Sequence, residues 1–191
     1  PFEVQQIELE EGITVWTVDS TPADCVRIAV LGMKMEFDLV VSGINRGLNV
    51  GADMMYSGTV GAASEAVNLG MKAIALSTPP QYYEHAAKHL DEIFDFVQRH
   101  QLLELNPIYN INIPKNPKGI RITRQGGPYY SDKFPAIGDN LYKPTGYSIW
   151  EDRGDDTLDT DATFHGYITV TPLTIDKTNQ EVFRKLKDLD L

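Results

Sequence analysis

The amino-acid sequence predicts an α/β protein whose sheet is mainly parallel and flanked by helices, continued by a β-rich C-terminal extension. Three observations carry this. Residues 38–43 form a short, nearly continuous apolar run of the kind found in strands buried on both faces, 72–77 read as another buried strand, and 109–114 as a strand. Helical patterns at 57–70 and 83–103 alternate with them, the order expected of strand–helix–strand units. After Pro114 the chain changes to short strand-like pieces set among Gly, Pro, Tyr, Asp and Asn. The expected division is an α/β core over 1–117 and an extension over 118–191 that holds a hairpin arm and a terminal helix.

The elements follow in order. Residues 3–9 alternate, with Val4, Ile7 and Leu9 apolar, and 13–18 are β-branched; Glu11 and Gly12 between them predict a hairpin turn. Thr21 is placed to cap a helix that has Pro22 at its first position, and Cys25, Val26, Ala29 and Val30 form its apolar face, with Gly32 as its end. The strand at 38–43 leads into a loop at 45–53. Ser57, Gly58 and Thr59 open a helix of small residues (Ala62, Ala63, Ala66) that stops at Gly70. Residues 83–103 read as one amphipathic helix with Ala87, Leu90, Ile93, Phe94 and Val97 inward. The stretch 126–150 is too long for a tight connection. With 120–124 and 147–150 as its strands it reads as a hairpin arm, which is marginal in water alone and calls for a second subunit. Residues 151–161 read as a solvated acidic loop, 166–173 as a strand and 179–189 as a charged helix.

At 191 residues the chain suffices for one core, or a core with an arm. Lys plus Arg total 17 against 27 Asp plus Glu, a net charge of −10. That balance argues against a nucleic-acid polymer as partner but allows a small phosphorylated ligand held by backbone N–H groups and a cation. The single cysteine, Cys25, rules out a disulfide within the chain; it is expected to be buried and inert, which suits a cytoplasmic setting. No apolar run is long enough to suggest a membrane span.

The segment 41–51, Val-Ser-Gly-Ile-Asn-Arg-Gly-Leu-Asn-Val-Gly, carries the chemistry together with Ser57, Gly58 and Thr59. It follows a parallel strand, where ligands of open α/β sheets bind. Gly43 allows close backbone approach, Asn45 and Asn49 bring amide groups, and Ser57 to Thr59 bring hydroxyls and N–H groups to a helix N-terminus. On spacing alone two readings stay open: a phosphate site, or an ordinary turn followed by a helix cap. Asp53 stands nearby. His85 and His89 share a helix face that reads as solvated, His165 pairs naturally with Asp161, and Tyr129, Tyr130 and Trp150 suit either base stacking or an oligomer contact.

Val-Val-Ser-Gly-Ile-Asn-x-Gly-x-Asn-x-Gly followed by Tyr-Ser-Gly-Thr-Val-x-Ala-Ala resembles the motifs of the SurE family. Thr-Pro-Ala-Asp-Cys-Val at 21–26, Asn-Ile-Asn-Ile-Pro at 110–114, Thr160-Asp161 and Gly-Tyr-Ile-Thr-Val-Thr-Pro-Leu at 166–173 agree in order, so the resemblance spans essentially the whole chain. It implies a Rossmann-like, SurE-like fold and a divalent-metal-dependent 5′-nucleotidase that cleaves nucleoside monophosphates with Mg²⁺ or Mn²⁺. It implies Asn45 as metal ligand, Asn45 and Asn49 as catalytic, and Gly43, Asn49, Ser57, Gly58 and Thr59 around the phosphate. It implies a homodimer or homotetramer joined through the arm. The family's Asn-Asp-Asp-Gly metal segment and first βα units are expected to lie upstream of Pro1. The alternative is a non-catalytic, phosphate-binding or oligomerising remnant of the fold.

Overall fold

In the computed structural model, which describes residues 1–10 and 12–189, the chain opens with an antiparallel hairpin. Its strands are β1 (Val4–Glu10) and β2 (Ile13–Val18), with Ile7 opposite Val15. Of the expected turn, Glu11 lies outside the described residues. Helix α1 (Pro22–Arg27) starts where the sequence places it: the Asp24 N–H donates to Thr21 Oγ1 at 3.2 Å, and Pro22 sits in the first turn. A wider turn continues to Gly32. Cys25 is exposed, contrary to expectation. The helix packs through Val26, and Cys25, one position round, turns outward.

The body follows as β3 (Leu39–Arg46), α2 (Gly58–Asn68), β4 (Lys72–Thr78), α3 (Tyr83–Ala86), α4 (Leu90–Arg99), α5 (Leu102–Leu105), β5 (Ile108–Asn112) and β6 (Ile120–Ile122). The arm holds β7 (Tyr130–Lys133), β8 (Ala136–Gly138), β9 (Leu141–Tyr142) and β10 (Thr145–Ser148). Helix α6 (Asp159–Phe164), β11 (Ile168–Pro172) and α7 (Gln180–Leu186) complete the chain. The central sheet has the order β3-β4-β5-β11-β6. Strands β3, β4 and β5 are parallel, β11 runs against β5, and β6 lies parallel to β11. The sheet is therefore mostly parallel, as the sequence predicts, with one reversal.

Alternation along the strands gives the sheet two unlike faces. Ile74, Leu76, Tyr109, Ile111, Ile168 and Val170 face Ile93 and Val97 of α4 in one apolar cluster. Ala73, Ala75 and Ile108 face α2, whose Val60, Ala63 and Ala66 meet them, with Met54 closing the layer. Small residues on both sides let α2 lie close to the strands. Burying one such side chain as large as Ile74 contributes about 1.5–3 kcal/mol.

The structure departs from the sequence reading in three places. Residues 83–103 are not one helix. A 3₁₀ turn at Ala87–His89 tightens the spiral and shifts its phase, burying Ala86 instead of Ala87, and Gln101 turns left-handed at φ 51°. Strand β6 does not pair with 147–150; it joins the central sheet beside β11, where Ile120 packs on the core, and β10 pairs with β7. Finally, the acidic run divides. Asp159 and Asp161 are buried in α6, a helix the sequence did not suggest, while Glu151 and Asp152 stay exposed. No helix among the described residues is long and apolar enough to cross a membrane.

Candidate active site

Strands β3, β4 and β5 end side by side, and their last residues form a polar row: Asn45 pairs with Ser77, and Ser77 with Asn112. Asn45 thus belongs to the strand end rather than to the loop. The register of β3 on β4 slips between Ser42 and Asn45, a bulge that re-aims the strand end. Gly43, at φ 134°, leaves no alternative to glycine, because a Cβ there would run into the Leu76 carbonyl. Asn45 Nδ2 donates to the Gly47 carbonyl at 2.9 Å, so Oδ1 is the end of the amide left to a ligand.

The loop from Gly47 to Tyr56 is held from three directions. The Asn49 N–H donates to Asn112 Oδ1 at 2.8 Å. The Asn49 carbonyl accepts from Asn110 Nδ2 at 2.7 Å and from Asn112 Nδ2 at 2.9 Å. Asn49 Nδ2 contacts Ser77 Oγ at 2.7 Å. Next, the Gly51 N–H donates to the Asp159 carboxylate at 3.0–3.1 Å, and the Gly126 N–H reaches the same group at 2.7 Å. Burial pushes the Asp159 carboxyl up from its ordinary value, and these N–H groups offset only part of that. Third, the base of the arm grips the loop: the Ala52 N–H donates to the Gly127 carbonyl at 3.2 Å, and Asp53 accepts the N–H groups of Tyr129 at 3.3 Å and Tyr130 at 3.2 Å. Gly51 must be glycine here, since its φ is 59° and a Cβ would collide with the Gly127 carbonyl.

Ser57 caps α2, its Oγ accepting the Val60 N–H at 3.1 Å. Gly58 is exposed and Thr59 half-buried, with their N–H groups in the first helical turn, where no intrahelical acceptor exists. The positive end of the α2 dipole adds to their pull on an anion. Ser57 also borders a groove of about 520 Å³ between α2, the end of β11 and the segment 123–125 that follows β6. Among the described residues no hydrogen bond joins Asn45 to Ser57, Gly58 or Thr59; the pinned loop connects them.

The described residues do not make a divalent-metal site. No three His, Cys, Asp or Glu side chains among them are grouped so as to hold a metal ion. Asp53 is committed to the arm, and Asn45 Oδ1 is one neutral oxygen where Mg²⁺ or Mn²⁺ takes about six ligands.

At the arm's foot, Asp161 accepts Trp150 Nε1–H at 3.0 Å and the N–H groups of Arg153 and Asp155 at 3.0 and 3.1 Å. Burial alone would raise its carboxyl, but these donors and His165 together hold it below the ordinary range. His165 pairs not with Asp161, as expected, but with Asp156 through Nδ1 at 2.6 Å and Asp152 through Nε2 at 3.1 Å. Those two carboxylates, Asp156 first, raise its pKa. Trp150 packs on Phe164 with ring centroids 4.6 Å apart. Sequence reasoning missed Ser77, Asn110, Asn112 and Asp159. The signal for the asparagines was two amides alternating in an otherwise apolar strand.

The family profile described as Survival protein SurE matches residues 1–132. The protein of Thermosipho africanus named 5′-nucleotidase SurE is 36% identical over 204 residues, covering 98% of this chain and 78% of that protein. The protein of the same name from Pseudothermotoga lettingae is 36% identical over 206 residues, covering 100% of this chain and 76% of its own. Among solved structures, the SurE protein of Aquifex aeolicus superposes with a TM-score of 0.74 at 34% identity, over 100% of this chain and 80% of that one.

Proposed function

The chain belongs to the SurE family, and on that premise we propose that it takes part in hydrolysing nucleoside 5′-monophosphates to nucleoside and phosphate. One observation supports this above the rest: a strand-end amide, a pinned loop and an uncapped pair of helix N–H groups lie in sequence at the carboxyl end of three parallel strands. The Gly58 and Thr59 N–H groups and the Thr59 hydroxyl donate to the phosphate oxygens. They stabilise charge that grows on those oxygens as the ester bond breaks, and Asn49, its Nδ2 on Ser77 Oγ, belongs to the loop that leads to them. Asn45 Oδ1 is a neutral oxygen these residues would offer a Mg²⁺ or Mn²⁺ ion, whose chemistry would be to polarise the phosphoryl group. Because they do not fit such an ion alone, the 191-residue chain is expected to bind Mn²⁺ feebly and turn over slowly. The same observation favours a second reading, a phosphate-binding module without catalysis. A cytoplasmic homodimer or homotetramer joined through the arm completes the proposal, supported by the arm's exposed aromatic residues.

Titration with AMP and with inorganic phosphate, followed through the amide resonances of Gly58 and Thr59, tests the site. Phosphate release with and without Mn²⁺ then separates enzyme from binding module. Shifts at both amides together with Mn²⁺-dependent release support the nucleotidase. Shifts without release favour the module, and neither result would remove the site from this loop.

A further inference from the structure

Strand β5 lies inside the sheet, where both faces ordinarily carry apolar side chains. Yet it turns two fully buried amides, Asn110 and Asn112, toward the same residue. The Asn112 amide makes both of its hydrogen bonds to the backbone of Asn49, accepting from its N–H and donating to its carbonyl. Asn110 adds a second donor to that carbonyl, with its own Oδ1 lacking a partner among the described residues. Burying an amide oxygen without a partner costs free energy that an apolar residue would avoid. What the pair gains is placement. Two bonds from one rigid amide to both backbone groups of Asn49 fix its position and its rotation, in the loop between Asn45 and Ser57.

We infer that Asn112, backed by Asn110, is a positioning residue: it holds the backbone of Asn49 so that the Asn49 side chain is presented to phosphate in a fixed place. The inference rests on the phosphate-site reading of the loop. Asn112 touches no substrate; it acts through Asn49 alone. A displacement of about 1 Å in such a loop is enough to lose up to 10²-fold in function.

Inorganic phosphate binding is measured for the parent chain and for Asn112→Ala, Asn49→Ala and the double substitution. Thermal unfolding confirms that each is folded. The expected result is affinity about tenfold weaker for Asn112→Ala, with the double variant no weaker than Asn49→Ala, because the two residues act as one unit. Affinity equal to the parent's, or two effects that multiply, would overturn the inference. Absence of binding to the parent would overturn the phosphate reading and the inference with it, an outcome visible before any variant is made. Asn112→Asp covers the case in which Asn112→Ala does not fold. A protonated carboxyl reproduces both bonds to Asn49, whereas the ionised form sets an oxygen against its carbonyl. Measured against the parent at each pH, this variant should bind phosphate normally in acid and lose about tenfold as its carboxyl ionises. An affinity ratio that stays flat with pH would reject the clamp.

Discussion

The loop from Gly47 to Tyr56 and the arm from Tyr130 to Ser148 are both built of turns and short pieces, but they are held by opposite means. The loop sits under polar groups drawn from three distant stretches: Asn110 and Asn112 of β5, Asp159 of α6, and the peptide of Gly127. The arm's ladder of four residue pairs leaves Phe134 62%, Leu141 57% and Tyr142 62% exposed. The loop as far as Met54 is bonded and buried or half-buried within its own chain, with Met55 and Tyr56 exposed only at its end; the arm keeps apolar surface along its length that its own chain does not cover. Irregular backbone held in the first way suits a ligand site, because its geometry survives without the ligand. Irregular backbone of the second kind suits a surface that a partner completes.

The most severe test of this contrast is Asp159→Ala. It strands the N–H groups of Gly51 and Gly126 in the interior and should cost about 3 kcal/mol in urea unfolding, with Asp159→Asn milder. A loss no larger than that of an exposed arm residue would erase the distinction. Next in size, Thr59→Val should weaken phosphate handling by about 1–3 kcal/mol without lowering the melting temperature. Unchanged binding and kinetics would make Thr59 merely a helix residue.

A smaller effect is expected just beyond the arm, at His165, beside Trp150. Both imidazole nitrogens face carboxylates, Asp156 and Asp152, with Asp161 close by on α6, so the charged ring is favoured and its pKa is raised. A raised pKa means that this contribution is complete below the ordinary imidazole value near 6.5 and fades as pH climbs through the raised one. The melting temperature of the parent minus that of His165→Gln should therefore be positive in mild acid and shrink in alkali. A difference that grows with pH would contradict the pairing. Smallest for folding, Phe134→Ser with Tyr142→Ser should change stability by no more than about 0.5 kcal/mol. The same pair should turn an oligomer into a monomer in light scattering; an unchanged mass would mean that the arm is not the contact.

The fold was legible wherever one local rule decided the outcome. Thr21 and Pro22, the small residues of α2, and the apolar runs of β4 and β5 announced their elements because capping and burial act over neighbouring positions. The Ser57 cap was legible for the same reason, whereas spacing alone left Asn45 and Ser57 to Thr59 open between a phosphate site and an ordinary turn. What escaped was decided by distant parts of the chain. Asp159 looked like one more charge in an acidic loop because its partner Gly51 lies 108 residues away. Strand β6 looked like half of the arm because its neighbour β11 enters the sheet only near the end of the chain. The shift from Ala87 to Ala86 came from a 3₁₀ turn that no residue type there demands.

The close approach of Gly51 to the Gly127 carbonyl has a mechanical consequence. There the backbone at the arm's root lies directly on the loop that follows Asn49, with no side chain between them to act as a cushion. From Tyr130 to its tip the hairpin reaches at most about 30 Å, at roughly 3.3 Å per residue. Moving as one body, it would be a lever whose short end rests on the loop. A tilt that carries the tip through several ångströms moves the root by only a fraction of one, and the force at the root grows in the same ratio. Whatever docks on the arm thus pushes on the loop with a gain fixed by the length of the hairpin.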